Sequence, residues 1–272
     1  MLRLARAALY TVIPAELLLA VLLVSGVSLP APVLLLAEAV VLGVLALEAA
    51  TAVRLYRAAR GQGSDRRSAL LSTVDRLLPV TVRKVMEFEL KGMASLVLWV
   101  ARRRHGVPQG ATAVPYSREQ STTILIMLFV MVVETVGIDL LLVALDVPAP
   151  VRVTVLMLDL YGIGFGLAFA AACVTRPHVV TGDELRVRFG AYFDLRIPRE
   201  LISSVRVARN YNETGMIQVS DGRLSVAVGS QTNVVVELAE PITVTRPLGR
   251  RETVTSVRFF ADTPSMVRLQ GA

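Results

Sequence analysis

Cysteine occurs once, at Cys173, and histidine only at His105 and His178. One thiol excludes a disulfide framework and a cysteine-based zinc site. Neither histidine lies in an apolar run, which excludes the Glu-x-x-His pairs of a di-iron helical bundle. Charge is sparse: Asp, Glu, Lys and Arg make up 19% of the 272 residues, against about 25% in soluble globular proteins. No phosphate-binding loop, HExxH, GxSxG, kinase or zinc-finger pattern occurs. No basic strands interleaved with aromatics suggest nucleic-acid binding. The chain therefore reads as non-enzymatic, with no cofactor or metal and no nucleic-acid partner.

What is abundant is apolar. Hydrophobic residues make up 54% of the chain, and the mean hydropathy is +0.59. Four stretches approach the roughly 20 apolar residues that cross a bilayer: Ala7–Val27, Val33–Val53, Ile124–Leu145 and Val153–Val174. None contains Lys or Arg. The first follows Arg3 and Arg6 but is interrupted by Pro14 and Glu16, so it reads as an uncleaved helix rather than a signal peptide.

The net charge of +7 is uneven. Basic residues crowd between Arg54 and Arg118, whereas the Ser25–Pro32 connection has none and Asp146–Arg152 has one. By the positive-inside rule both short loops face outward. The expectation is a multi-pass protein of the cell membrane with both termini cytoplasmic. Its divisions are a first transmembrane hairpin (1–58), a cytoplasmic amphipathic segment (59–120), a second hairpin (121–175) and a cytoplasmic β-domain (176–272).

The hairpins resemble each other. Val12, Glu16, Leu22 and Leu23 match Val130, Glu134, Leu140 and Leu141, and Pro30–Val33 matches Pro148–Val151. The match suggests either a duplication or the shared chemistry of a stiff Pro-Ala-Pro turn. Glu16, Glu38, Glu48, Glu134, Asp139 and Asp159 lie within the spans. A carboxylate at mid-bilayer costs about 2.5–3.5 kcal/mol or more. These acids must be neutral, inward-facing or met by a cation. Glu16, Glu134, Asp139 and Asp159 form a candidate polar site: a proton or cation path on one reading, neutral carboxyls bridging helices on the favoured one. Gly162, Gly166 and Ala170 give the fourth span a small-residue face for close helix packing.

Between the hairpins, Val80–Val100 has helical spacing, with Val82, Val85, Met86, Met93, Leu96, Val97 and Val100 on one broad face. Trp99 followed by Arg102, Arg103 and Arg104 suits a membrane interface, with the indole at headgroup depth and the guanidiniums at phosphates. The alternative is a helix packed under the bundle with solvated arginines. His105–Tyr116 reads as irregular linker.

From Arg176 the periodicity changes to two. Strands are expected at Leu185–Phe189, Tyr192–Ile197, Ile202–Ala208, Met216–Val219, Leu224–Val228, Val234–Leu238, Ile242–Thr245 and Val254–Phe260, with a hairpin turn at Asp221-Gly222. Thr263–Leu269 is expected to start a short helix.

The run from His178 to Gly190, then Asp194–Pro198 and Ile202–Val205, resembles bacterial pleckstrin-homology-like (PH-like) domains attached to membrane helices. Val234–Pro241, Phe259–Pro264 and the segment from Glu87 to Arg104 are similar to uncharacterised actinobacterial integral membrane proteins that carry such a domain. The resemblance covers roughly the last two-thirds of the chain, and the short C-terminal end departs from it. It implies a small β-barrel beside four transmembrane helices. The expected function is a protein- or lipid-interaction module at the inner membrane face. Its partners would be anionic membrane lipids, a protein, or a second copy of the chain. The alternative is a small transporter or channel subunit using Glu16, Glu134 and Asp139.

Overall fold

A computed structural model describes residues 30–267 except Ser64, Leu78, Pro79 and Leu248. The first expected span and Glu16 lie outside the described residues. The described chain divides into two compact units. One holds the residues up to Arg83 and Thr135–Asp159; the other holds Lys84–Glu134 and the chain from Leu160 onward.

Five helices are described: α1 Ala31–Gly61, α2 Arg66–Leu77, α3 Val80–Val100, α4 Arg118–Ala144 and α5 Ala149–Thr175. Pro32 in the first turn of α1 suits a helix start, because its missing N–H would have no partner there. The helix contains the expected second span and carries Glu38 and Glu48. Helices α4 and α5 have 27 residues each and are long and apolar enough to cross a membrane, each reaching about 40 Å at 1.5 Å per residue. Helix α4 buries only Thr135. Helix α5 buries Gly166, Ala168, Ala171, Ala172, Cys173 and Thr175, all in its second half. A methyl group on Gly166 would meet Leu128 of α4 at 2.8 Å, so the bare backbone there seats the leucine.

The C-terminal region is mostly β, in two sheets. The first has the order β1-β2-β3-β4, all antiparallel: Thr112–Val114, His178–Val180, Glu184–Phe189 and Phe193–Pro198. The second has the order β5-β8-β9-β7-β6, from Ile202–Asn210, Thr232–Thr245, Arg251–Phe259, Arg223–Val226 and Ile217–Ser220. Its β7–β9 pair is parallel. Alternation along β4 is strict, with Phe193, Leu195 and Ile197 buried. These side chains join Leu185, Val187, Phe189, Leu224, Val236, Val257 and Phe259 in one core between the sheets. Asp221 and Gly222, at φ 51° and 69°, close the β6–β7 hairpin, and two left-handed residues give the type I′ turn that matches strand twist.

The structure departs from the sequence reading at several places, and His178–Val180, absent from the expected strands, is strand β2. Residues 112–114, read as linker, are an edge strand of the first sheet. The expected strands Val234–Leu238 and Ile242–Thr245 are one strand, β8, with a register irregularity between Glu237 and Ile242. Strand β5 pairs with β8 only as far as Leu238. Beyond that point no strand among the described residues pairs with this edge of β8, which suits Pro241, a residue with no N–H to donate. In place of the expected terminal helix, Pro264–Val267 forms a 3₁₀ turn.

Candidate lipid-facing groove

Helix α3 spans Val80–Val100 as its periodicity predicts. Its apolar residues Val85, Met86, Leu90, Met93, Val97 and Val100 are exposed. Its packed side is different: Gly92 lies against Ala168, and Phe88 meets Tyr192 with ring centroids 5.2 Å apart. Tyr161 donates a hydrogen bond to Glu89. Arg176 donates through Nε to Ser95 Oγ at 3.1 Å and through Nη2 to Lys91 O at 3.4 Å.

The end of α3 is sharply defined. Arg103 N–H donates to Leu98 O at 2.8 Å and Arg102 N–H to Trp99 O at 3.0 Å. This closing pattern requires a left-handed residue, normally glycine. Arg102 fills it at φ 54°, at a cost of about 1–2 kcal/mol for a residue with a side chain. The next links anchor the turn. His105 N–H donates to Thr175 O at 2.8 Å, joining it to the end of α5. Arg188 of β3 is only 2% exposed. It donates to His105 O at 2.8 Å, Gly106 O at 3.1 Å and Pro177 O at 3.5 Å. Burial, then neighbouring Arg186, pushes its guanidinium pKa down to about 10. Gly106 has φ 62°, and a side chain there would meet Arg188 at 2.6 Å.

The result is a groove of about 310 Å³ lined by Trp99, Arg102, Arg103, Arg104, Pro115, Ser117 and the end of α5 at Val174, Thr175 and Pro177. Trp99 is 49% exposed, and the three arginines are exposed and form no salt bridge among the described residues. The surroundings are cationic as well: burial, then Arg176, Arg188 and Arg186, hold the His105 imidazole below its ordinary pKa. An anion entering the groove meets up to three guanidiniums, with an indole beside them.

Beneath it, Tyr116 and His178 are fully buried and stack at 4.5 Å. Gly190 N–H donates to Tyr116 Oη at 2.6 Å. His178 Nδ1 accepts from Arg188 N–H at 3.0 Å and Nε2 lies 2.9 Å from Phe260 O, so the neutral Nε2–H tautomer satisfies both contacts. Burial pushes its pKa down to about 4. This histidine is a core strut rather than a ligand.

The four residues expected at a membrane interface, Trp99 and Arg102–Arg104, line this one groove. The expected acids do not: Glu134 is exposed on α4, Asp159 is half-buried on α5, and no hydrogen bond or ion pair among the described residues links them. Asp139, read as having no basic partner, pairs with Arg152 Nη2 at 3.4 Å. Helix α5 begins at Ala149, four residues before the expected span, and so includes that arginine. Among the described residues no cluster of His, Cys, Asp and Glu could hold a metal ion. Pro115, Ser117 and the buried clamp Arg188 carry no signal of their own in sequence: the pairing of β1 with β2 brings the first two to the groove, and Arg188 reaches the His105 and Gly106 carbonyls from β3. No protein-family model, curated protein or solved structure matches this chain.

Proposed function

We propose that this chain is a non-enzymatic integral membrane protein that binds anionic lipid headgroups at the cytoplasmic membrane face, where the end of α3 meets the β-region. The carrying observation is the groove of Trp99 and Arg102–Arg104 at the end of a helix able to cross the bilayer. Each basic residue near an anionic surface contributes about 1 kcal/mol, and an indole beside arginines suits headgroup depth. The pairing of β1, before α4, with β2, after α5, supports an out-and-back path for these two helices. With the apolar segments before residue 54, the reading is four spans in two hairpins, both termini cytoplasmic, in the cell membrane. The two-sheet region we read as PH-like, in a protein resembling the actinobacterial type. The transporter alternative is weakened by the Asp139–Arg152 pair, which already satisfies one of its three carboxylates.

The chain's single tryptophan provides the test. The full chain is reconstituted in neutral phosphatidylcholine vesicles doped with lipid brominated on the acyl chains. Brominated phosphatidylglycerol should quench Trp99 more than brominated phosphatidylcholine at equal mole fraction. Added salt should reduce the difference, and replacing all three arginines by Gln should abolish it. Equal quenching by both lipids in the unaltered protein would refute the proposal.

A further inference from the structure

A second recess lies on another side of the same helix end. Phe165 and Phe169, one turn apart on α5, face Phe189, Tyr192, Met216 and Ile217 of the β-region around a pocket of about 700 Å³. That volume falls within the roughly 300–1,000 Å³ of small-molecule sites. Phe169 lies 6.1 Å from Phe189 and 5.6 Å from Tyr192 between ring centroids, so aromatic faces form its inner wall. At 100° per residue, Phe165 and Val174 lie about half a turn apart around α5. The pocket and the arginine groove therefore flank opposite sides of the helix.

The pocket's mouth is charged. The β8–β9 loop places Arg246 and Arg250 against it. Both guanidiniums share one carboxylate, Glu252, at 3.4 and 2.8 Å, which leaves one uncompensated positive charge on the pair. Arg250 is 75% exposed at its side chain, and Arg246 is oriented further by Ile217 O at 3.4 Å. Phe169 and Phe165 lie about 9 and 15 Å from the end of α5 at Thr175. A hydrocarbon layer about 30 Å thick centred on a spanning helix about 40 Å long begins about 5 Å from each helix end, which puts both phenylalanines in its outer part, beside the first acyl carbons.

We infer that this pocket holds one acyl chain of an anionic membrane phospholipid, with its phosphate on Arg246 and Arg250. The inference rests on the reading that α5 crosses the bilayer. An apolar cleft between the second half of a candidate span and the β-region, with arginines at its rim, matches an amphiphile with an anionic head. A neutral lipid would leave the excess charge unanswered.

The test uses the full chain in detergent and native mass spectrometry, with dioleoyl phosphatidylglycerol, dioleoyl phosphatidylcholine or oleate added. In a groove variant carrying Arg102→Gln, Arg103→Gln and Arg104→Gln, which removes the other proposed anion contacts, one phosphatidylglycerol should be retained per chain, more tightly than phosphatidylcholine or oleate. Arg246→Gln with Arg250→Gln should weaken retention about tenfold to thirtyfold, as two surface arginines acting on one anion imply. Met216→Trp, at an exposed position on the mouth, should compete with the chain for the pocket and weaken it too. Equal retention of phosphatidylcholine, preference for oleate, or unaltered retention in both pocket variants would overturn the inference. So would loss of the lipid in the groove variant alone. Trp99 quenching reports on the membrane-face reading separately, so a failure of either can be recognised.

Discussion

Helix α4 and the β-sandwich use similar residues in opposite ways. On α4, Leu125 and Phe129 are each 67% exposed and Leu140 64%. In the sandwich Val187, Val236 and Phe259 are wholly buried. The sandwich answers to water, so its order follows from hiding alternate residues. The helix presents apolar side chains outward, and an apolar medium is the one in which that surface costs nothing. Valine, leucine and phenylalanine mark an interior only where water lies outside.

This contrast predicts that the β-region alone tolerates a water-only test, provided it is complete. Residues 176–272 by themselves lack β1 and the buried Val114 and Tyr116. That fragment should fail to unfold cooperatively, because losing one large aromatic from a core already costs about 3–5 kcal/mol. Joining 110–117 to its N-terminus through a flexible linker should restore a cooperative transition by circular dichroism. Equal cooperativity without the added strand would break the comparison.

The fragment that begins where the periodicity changes is the boundary the sequence suggests, and β1 shows why it is misplaced. Three residues, Thr-Ala-Val, cannot display a period, and their partner lies beyond two long helices. By contrast β4 was legible because Phe193, Leu195 and Ile197 alternate with polar neighbours. Strand β8 looked like two strands because Ala239-Glu240-Pro241 resembles a turn, and a proline there suits an edge that no described strand pairs with beyond Leu238. The groove was half legible: a tryptophan before three arginines stands out, but Pro115, Pro177 and Arg188 arrive through tertiary pairing. The aromatic pocket left no local signature, since Phe165 and Phe169 are commonplace in an apolar helix and Arg246 and Arg250 lie in an ordinary loop.

Next in size is the clamp. Arg188→Ala in the linked β-fragment, extended to include His105, should destabilise it by about 3–5 kcal/mol, from carbonyl groups orphaned at about 1–3 kcal/mol each. The urea midpoint measures it; a change under about 1 kcal/mol would mean that water replaces the guanidinium freely.

His178 gives a slightly smaller effect with a definite direction. Its folded pKa is near 4, against 6.5 for the free side chain, so the unfolded chain takes up the proton first. Stability should be full above about pH 6.5 and fall by about 3 kcal/mol as the pH drops toward 4. His178→Gln should flatten that part of the pH profile, whatever its own cost. A profile that keeps its slope in the variant would assign the titration to other groups.

The smallest effects belong on the helices. Glu134→Gln and Asp139→Asn should each change the thermal stability of the detergent-solubilised chain by less than about 1 kcal/mol, as for exposed or partly exposed pairs and interhelical bonds. A larger loss at Glu134 would show that this acid meets a group beyond the described residues.

The short strand β1 has a consequence for how the protein is made. It leaves the ribosome before α4 and α5, and its partner β2 emerges only after both. On the proposed reading that α4 and α5 cross the membrane, the first sheet cannot close until both helices have been inserted. It closes only if the two ends of that hairpin lie in the same compartment. A molecule with one helix left uninserted would strand β1 and β2 on opposite sides of the bilayer, with Phe189 and His178 uncovered and open to proteolysis. On that reading, completion of the sandwich reports on the topology of the hairpin through residues that lie in neither helix.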